Sequence, residues 1–180
     1  MEASFLPSLV YFHPQFMSLS SPHKLLTNAG SKTYEVAKAR IQLLFLANQY
    51  PSMKNTRHWS TVNPDGLCSF PTCQEQELVE HPEHILLCCP AYWKEREKLF
   101  SMCLGVKNPN THQLITSFLF SRSSKKMMQF LVDSSALPEV INAVQLHGEN
   151  ILKDLFYLSR TWCFSIHRLR MRRLGKWNFR

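Results

Sequence analysis

The sequence lacks long apolar runs, has little glycine and contains few aspartates. It has no stretch of about 18 apolar residues, so we expect no transmembrane helix and no membrane partner. Five glycines in 180 residues argue against a glycine-rich β-barrel. Asp65, Asp133 and Asp154 are the only aspartates and stand far apart. A two-metal polymerase or nuclease clusters its carboxylates, so we expect no such active site.

Known catalytic motifs are also missing. The chain has no H-E-x-x-H motif, no Walker loop and no G-x-S-x-G elbow. His81-Pro82-Glu83 matches the H-x-E of zinc deaminases, but the P-C-x-x-C that those enzymes also need does not follow. Cys163 and His167 are four residues apart on a predicted helix, where packing is the favoured role. We therefore expect that the chain is not an enzyme.

The N-terminal sequence does not resemble a secretory signal. MEASFLPSLVYFHPQF has no positively charged start, and Pro7, His13 and Pro14 interrupt its apolar residues. We expect an intracellular protein, located in the nucleus, the cytoplasm or both. Because thiols stay reduced in these compartments, the six cysteines favour metal binding over disulfides.

Positive charge is concentrated in the second half of the chain. Residues 1–90 carry 6 Lys/Arg against 7 Asp/Glu, whereas residues 91–180 carry 15 against 6. The last 21 residues contain no acid and seven cations, which are Arg160, Arg168, Arg170, Arg172, Arg173, Lys176 and Arg180. Such a block is typical of a protein that binds a polyanion. The alternatives are a solvated tail that keeps the protein soluble and cations that complement a helix dipole.

Helical periodicity dominates the pattern of apolar residues. Ser31 or Thr33 is predicted to cap a helix that ends near Gln49, and Pro90 to begin another. Ser123 or Ser124 is predicted to cap a third helix. We expect a mainly α fold, a small helical domain divided into a loop and first helix (1–60), a zinc-binding segment with its following helix (61–104), and a helical region with a basic tail (105–180).

The clearest predicted helix is the last one. It begins at Pro138, and its apolar residues recur at steps of three, four or seven for about thirty residues, through Trp162 and Ile166. Gly148 lies inside this stripe and allows a bend or a break. The basic residues lie at the C-terminal end, so we expect a long, basic C-terminal helix.

The stretch CSFPTCQEQELVEHPEHILLCCP, residues 68–90, is called the Cys/His segment below. Cys68 and Cys73 form a C-x4-C pair, and His84 and Cys89 form an H-x4-C pair. Two such pairs are the usual way of surrounding a tetrahedral Zn²⁺ ion. Residues five apart do not share one face of a continuous α-helix, so we expect a short helix that holds His84 and a break at Cys89 before Pro90.

Other interpretations of this segment stay open from the residues alone. His81 and Cys88 are alternative ligands at less suitable positions. The acidic residues around them either support the ligands or lie at the surface; they are Glu75, Glu77, Glu80 and Glu83. The cysteines could also pack as small apolar residues or form disulfides. Zinc with four protein ligands would be structural, since no position remains open for a substrate.

Three blocks of the chain resemble a known kind of sequence. They are MSLSSPHKLLTNAGSKTYEVAKARIQ, the Cys/His segment with its EHILLCCP and AYWKEREKLF, and FLVDSSALPEVINAVQLHGENILKDLFYLSRTWCFSIHRLRMRRLGKW. In this order they resemble the region downstream of the polymerase in reverse-transcriptase polyproteins of non-LTR (LINE-type) retrotransposons. The resemblance implies Zn²⁺ at Cys68, Cys73, His84 and Cys89, and nucleic-acid engagement during target-primed reverse transcription. Polymerase and endonuclease residues are absent, so the chain resembles a fragment of an element whose polymerase part is a possible partner.

The sequence thus predicts a zinc-stabilised module without catalysis, which holds template RNA or target DNA. The basic residues between Arg160 and Arg180 are expected to contact phosphates. Arg57 and Trp59 are candidates for a second contact, with Trp59 either stacking on an unpaired base or packing in the core. The alternative is a protein-interaction module, or a vestigial fold without nucleic-acid binding.

Overall fold

The structure of the chain is a computed structural model that describes residues 23–56 and 65–175. These residues form α1 (Lys24–Thr27), α2 (Thr33–Leu46), α3 (Met53–Thr56), α4 (Pro71–Glu75), α5 (Trp93–Leu104), α6 (Pro109–Leu119), α7 (Ser124–Asp133), α8 (Pro138–His147) and α9 (Asn150–Arg173). A π-helical turn covers His84–Cys88, and 3₁₀ turns cover Pro90–Tyr92 and Ser134–Ala136.

The predicted mainly α fold is confirmed. No strand occurs in the described ranges, and their β-type pairing is a single antiparallel bridge between Leu67 and Val79. None of the helices in these ranges combines the length and the apolar character that a bilayer crossing requires.

Local sequence accounts for several helix boundaries. The Ser123 hydroxyl accepts a hydrogen bond from the Lys126 amide, which confirms it as the cap of α7. The Asn108 side chain caps α6 in the same way, and Pro109 begins that helix. The start of α2 differs from the prediction, because Lys32 occupies the cap position and makes no side-chain cap hydrogen bond. This helix also ends at Leu46, before the predicted Gln49.

The predicted thirty-residue helix consists of two helices. Gly148 follows α8 with φ +87° and ψ 172°, a conformation that is essentially restricted to glycine. The chain turns there and continues as α9. With 24 residues and a rise of about 1.5 Å per residue, α9 is roughly 36 Å long, so the long C-terminal helix is present.

The other helices pack around α9. It contacts α2, α5, α6, α7 and α8 as well as the π-helical turn. Trp162 and Phe156 of α9 are among the largest fully buried side chains. One buried cluster runs from Leu25 to Ile166 and includes Cys68, Cys73 and Cys89. The Cys/His segment therefore contributes to the same core as the helices.

Candidate metal centre

Four side chains of the Cys/His segment converge in the interior. The cluster consists of Cys68, Cys73, His84 and Cys89, whose potential ligand atoms all lie within 4.8 Å of one another. All four side chains are buried. Each offers a soft or borderline donor, so the arrangement can hold a metal ion. The predicted ligand set therefore comes together in space.

A tight turn positions the first pair. The Cys68 amide donates to Leu78 O at 2.8 Å, and the Leu78 amide donates to Cys73 O at 2.9 Å. These bonds join the two sides of a small hairpin, and the short helix α4 carries Cys73 on its inner side. At the base of the hairpin Gly66 has φ +70°, and a Cβ there would lie 2.8 Å from Lys54 Cα. Only glycine fits this position without a shift of the backbone.

A π-helical turn positions the second pair. The Cys89 amide donates to His84 O at 2.7 Å, which is the i→i+5 bond of a π-helix. A π-helical turn is wider than an α-helical one, so it places residues 84 and 89, which are five apart, on the same side. The expected short helix with a break at Cys89 is thus present, but its turn is π-helical rather than α-helical.

The sulfur atoms lie close together without forming a disulfide. Sγ of Cys89 is 3.8 Å from Sγ of Cys68 and 3.9 Å from Sγ of Cys73, and all six cysteines of the chain are free thiols. The hydrogen bond to Cys89 and burial raise the pKa of Cys68 to about 12. The same hydrogen bond lowers the pKa of Cys89. Of these two thiols, Cys89 therefore loses its proton more readily, and a bound cation would favour the deprotonated form of both.

The main chain also supports the sulfurs. The main-chain amide of Phe70 lowers the pKa of Cys68, and that of Ala91 lowers the pKa of Cys89, because an N–H group near the sulfur stabilises the negative form. Nε2 of His84 is buried and has no hydrogen-bond partner. A metal ion would satisfy this atom, and that fits the donor set.

The two alternative ligands lie elsewhere. The Cys88 side chain is exposed, on the other side of the backbone from its neighbour Cys89. Nδ1 of His81 accepts a hydrogen bond from the His84 amide at 3.2 Å. Neither residue belongs to the converging cluster.

Among the contacts that fix the Cys/His segment to the helices, three are polar contacts from buried side chains of α5 and α9. Arg96 of α5 donates through Nη2 to Cys89 O at 2.7 Å, and Trp162 of α9 donates through Nε1 to Leu86 O at 3.3 Å. The third contact is an ion pair between Glu80 and Arg170, with 2.6 Å between Arg170 Nη2 and Glu80 Oε1. Sequence reasoning left the role of Glu80 open among four nearby acids and did not identify the roles of Arg96 and Trp162.

The structure corrects the predicted phosphate contacts at two positions. Arg160 and Arg170 are only 4% and 2% exposed, so neither reaches a ligand at the surface. Arg160 lies 3.8 Å from Glu35, and Arg170 pairs with Glu80. The helical period of α9 turns both residues toward the core.

The other predicted contacts differ in accessibility. Arg172 and Arg173 are exposed, and Arg168 is half-buried. Arg57, Trp59, Lys176 and Arg180 lie outside the described residues.

Comparison of the chain with protein-family models, with curated proteins and with solved structures finds no match. These comparisons therefore provide no link to retrotransposon reverse transcriptases.

Proposed function

We propose that this chain is a zinc-stabilised, non-catalytic module that binds nucleic acid, derived from the region downstream of a retrotransposon polymerase. The observation that carries the proposal is the buried convergence of three sulfurs and one imidazole. A tetrahedral site with Zn–S bonds of about 2.3 Å places neighbouring sulfurs about 3.8 Å apart. The two sulfur–sulfur distances of 3.8 and 3.9 Å match this spacing.

The surroundings also suit zinc. Three thiolates around Zn²⁺ leave a formal charge of −1, which needs a nearby cation when it is buried. Arg96 is buried beside Cys89 and donates to its carbonyl oxygen. Four protein ligands leave no open position, so the ion would be structural and would stabilise the Cys/His segment.

Metal analysis of the purified chain tests the zinc site. We expect one zinc per chain, and loss of that zinc in both Cys73→Ser and His84→Ala. Cys88→Ser is the matched control, because this thiol is exposed and adjacent to a ligand. Zinc retained by the first two variants, or lost from the control, would contradict the ligand assignment.

Nucleic-acid binding is supported by unpaired cations at the end of α9. Arg172 and Arg173 are exposed, and neither forms an ion pair with a carboxylate of the described residues. No acid occurs in residues 160–180. A cationic surface of this kind binds phosphates by releasing counterions. The sequence resemblance points in the same direction.

Filter binding to RNA, single-stranded DNA and duplex DNA tests this part of the proposal. We expect binding to at least one of the three, with an affinity that falls steeply as salt increases. Binding that stays undiminished at about 0.5 M NaCl would contradict a phosphate-based mode.

A protein-interaction module is the second candidate. Leu146 is 77% exposed and lines a cavity of about 340 Å³ between α6 and α8, with Leu114 and Ala143. An exposed leucine beside such a cavity is typical of a contact surface. Indifference to all three nucleic acids, with zinc retained, would favour this candidate.

A further inference from the structure

A groove lies between the Cys/His segment and the end of α9. Its volume is about 360 Å³, within the range of about 300–1,000 Å³ that small-molecule sites occupy. One side is formed by residues 68–71, which surround the first ligand, and another by Ala91 and Tyr92, which follow the last ligand. Arg170, Arg173 and Leu174 of the C-terminal helix end complete it.

Arg173 is held in place at this groove by two aromatic rings. Its guanidinium carbon lies 5.4 Å from the centre of the Phe70 ring and 5.7 Å from that of Tyr92. Cation–π contact uses the faces of the guanidinium, whereas its N–H donors point outward in the plane. No hydrogen-bond acceptor or carboxylate in residues 23–56 and 65–175 contacts these donors. Arg173 is therefore oriented by the rings and still lacks an anionic partner.

Arg170 also lines the groove but, unlike Arg173, has an anionic partner. Glu80 neutralises it through two hydrogen bonds to one carboxylate oxygen. The positive charge that remains at the groove is that of Arg173.

Two hydroxyl groups also line the groove. The Tyr92 side chain is 5% exposed, and its hydroxyl reaches the solvent and makes no hydrogen bond with the described residues. Ser69 is exposed beside it. An accessible phenol O–H without a protein partner can donate to a ligand that brings an acceptor oxygen.

We propose that this groove is a phosphate-binding site for a single nucleic-acid strand, in which Arg173 contacts one phosphodiester group and the Tyr92 and Ser69 hydroxyls donate to its oxygens. This inference rests on the proposed nucleic-acid-binding function and assigns its principal contact. The site has one free positive charge and neutral donors, which matches the single negative charge of a phosphodiester. A guanidinium that already contacts two rings loses little side-chain entropy on binding.

A surface arginine that only complements the dipole of α9 would behave differently. In that case Arg172 and Arg173 would contribute equally, because they are adjacent, exposed and equally charged. Arg172 does not line the groove and contacts no aromatic ring within residues 23–56 and 65–175. It is therefore the matched control.

The test is fluorescence anisotropy with a labelled single-stranded oligonucleotide and the full, zinc-loaded chain. We expect Arg173→Ala to weaken binding about tenfold and Arg172→Ala to weaken it by no more than about threefold, because only the first removes charge-assisted hydrogen bonds of fixed geometry. Arg173→Lys should recover part of the loss. Tyr92→Phe, which keeps the ring, should weaken binding about threefold at an unchanged melting temperature.

A second measurement separates contact from mere folding. In an NMR spectrum of the arginine Nε–H groups, oligonucleotide addition should shift the Arg173 signal more than the Arg172 signal. Equal losses of affinity in the two alanine variants, or equal shifts of the two NMR signals, would overturn the assignment of this groove as the phosphate site. The proposed nucleic-acid-binding function would then still stand. Absence of single-stranded oligonucleotide binding by the unmodified chain would overturn the groove assignment, and absence of binding to RNA, single-stranded DNA and duplex DNA alike would overturn the proposed function as well.

Discussion

Arg170 and Glu80 form a buried ion pair between the end of α9 and the middle of the Cys/His segment. Nη2 and Nε of Arg170 donate to the same oxygen of Glu80, at 2.6 and 3.2 Å. That oxygen also accepts the Met53 amide at 2.8 Å. Burial alone would lower the pKa of Arg170, but the hydrogen bond and the charge of Glu80 outweigh it and raise that pKa. One carboxylate thus joins α3, the Cys/His segment and α9.

The first prediction concerns removal of one member of this pair. Arg170→Met should lower the free energy of unfolding by about 3–5 kcal/mol, because it leaves the Glu80 carboxylate buried without its cation. Arg170→Met with Glu80→Gln should cost clearly less than the two single changes together. Urea denaturation with zinc present in excess measures both.

Arg172→Met is the control for this pair. This side chain is exposed and has no ion-pair partner in the described part of the chain, so its loss should change stability by less than about 0.5 kcal/mol. Equal small effects at residues 170 and 172 would show that the buried pair does not stabilise the fold.

The four converging ligands could be predicted from the sequence because metal chemistry is local. Ligand type and the spacing of Cys68–Cys73 and His84–Cys89 restrict the choice without knowledge of the fold. The π-helical turn could not be predicted, since it depends on one main-chain bond between residues 84 and 89. Sequence reasoning recognised the problem of five-residue spacing and predicted a short helix that ends before Cys89; the helix does end there, but its π-helical hydrogen bond was not predicted.

Which basic side chains of α9 point to the solvent and which are buried was predicted less well. Charge sign alone does not show whether an arginine on a helix points outward. Arg170 lies four residues after Ile166, which already belonged to the predicted apolar stripe, so the period contained a signal for its burial. The partner of Arg170 is 90 residues away in sequence, and such pairing becomes visible only in three dimensions.

The second prediction concerns metal removal. A tight chelator should increase amide hydrogen exchange in residues 66–90 by at least about hundredfold, because the ion links the two ligand pairs of this segment and its loss leaves buried thiol and imidazole groups without a partner. Hydrogen exchange in the region from α6 through α8 should increase less, because its helices pack against one another and bury side chains such as Phe118 and Phe130. Hydrogen exchange detected by mass spectrometry measures this.

Added Zn²⁺ should restore the protection and Mg²⁺ should not, because the donors are thiolates and an imidazole. Unchanged exchange in residues 66–90 after verified metal loss would contradict a structural role for the ion.

The third prediction concerns His167, whose Nδ1 lies 3.0 Å from the Tyr50 hydroxyl. Burial, and then the charge of Arg170, lower its pKa from 6.5 to about 4. Between these two values the unfolded chain binds more protons than the folded chain, so stability falls as the pH decreases from about 6.5 toward 4. Because the His167 side chain is only partly buried, we expect it to contribute about 1–2 kcal/mol to the pH-dependent change in the free energy of unfolding.

Urea denaturation between pH 5 and 7 with excess zinc measures this contribution. His167→Gln should give a flatter pH dependence than the unmodified chain, since glutamine does not titrate. Parallel pH curves for the two proteins, or an imidazole signal of His167 that titrates near 6.5 by NMR, would contradict the assignment.

The last prediction concerns the break between α8 and α9. If these helices tended toward one continuous helix, Gly148→Ala would stabilise the chain by about 1 kcal/mol. At Gly148, however, φ is +87°, a conformation that strains an alanine. We therefore expect Gly148→Ala to lower the free energy of unfolding by about 1–3 kcal/mol, although a Cβ there would meet no atom within 4 Å.

Gly105→Ala is the matched control, because Gly105 has φ −80° and its Cβ would meet the nearest atom at 3.4 Å. The control should change stability by less than about 0.5 kcal/mol in urea denaturation. A Gly148→Ala chain that is more stable than the unmodified one would mean that the break is not required by the packing of α8 and α9.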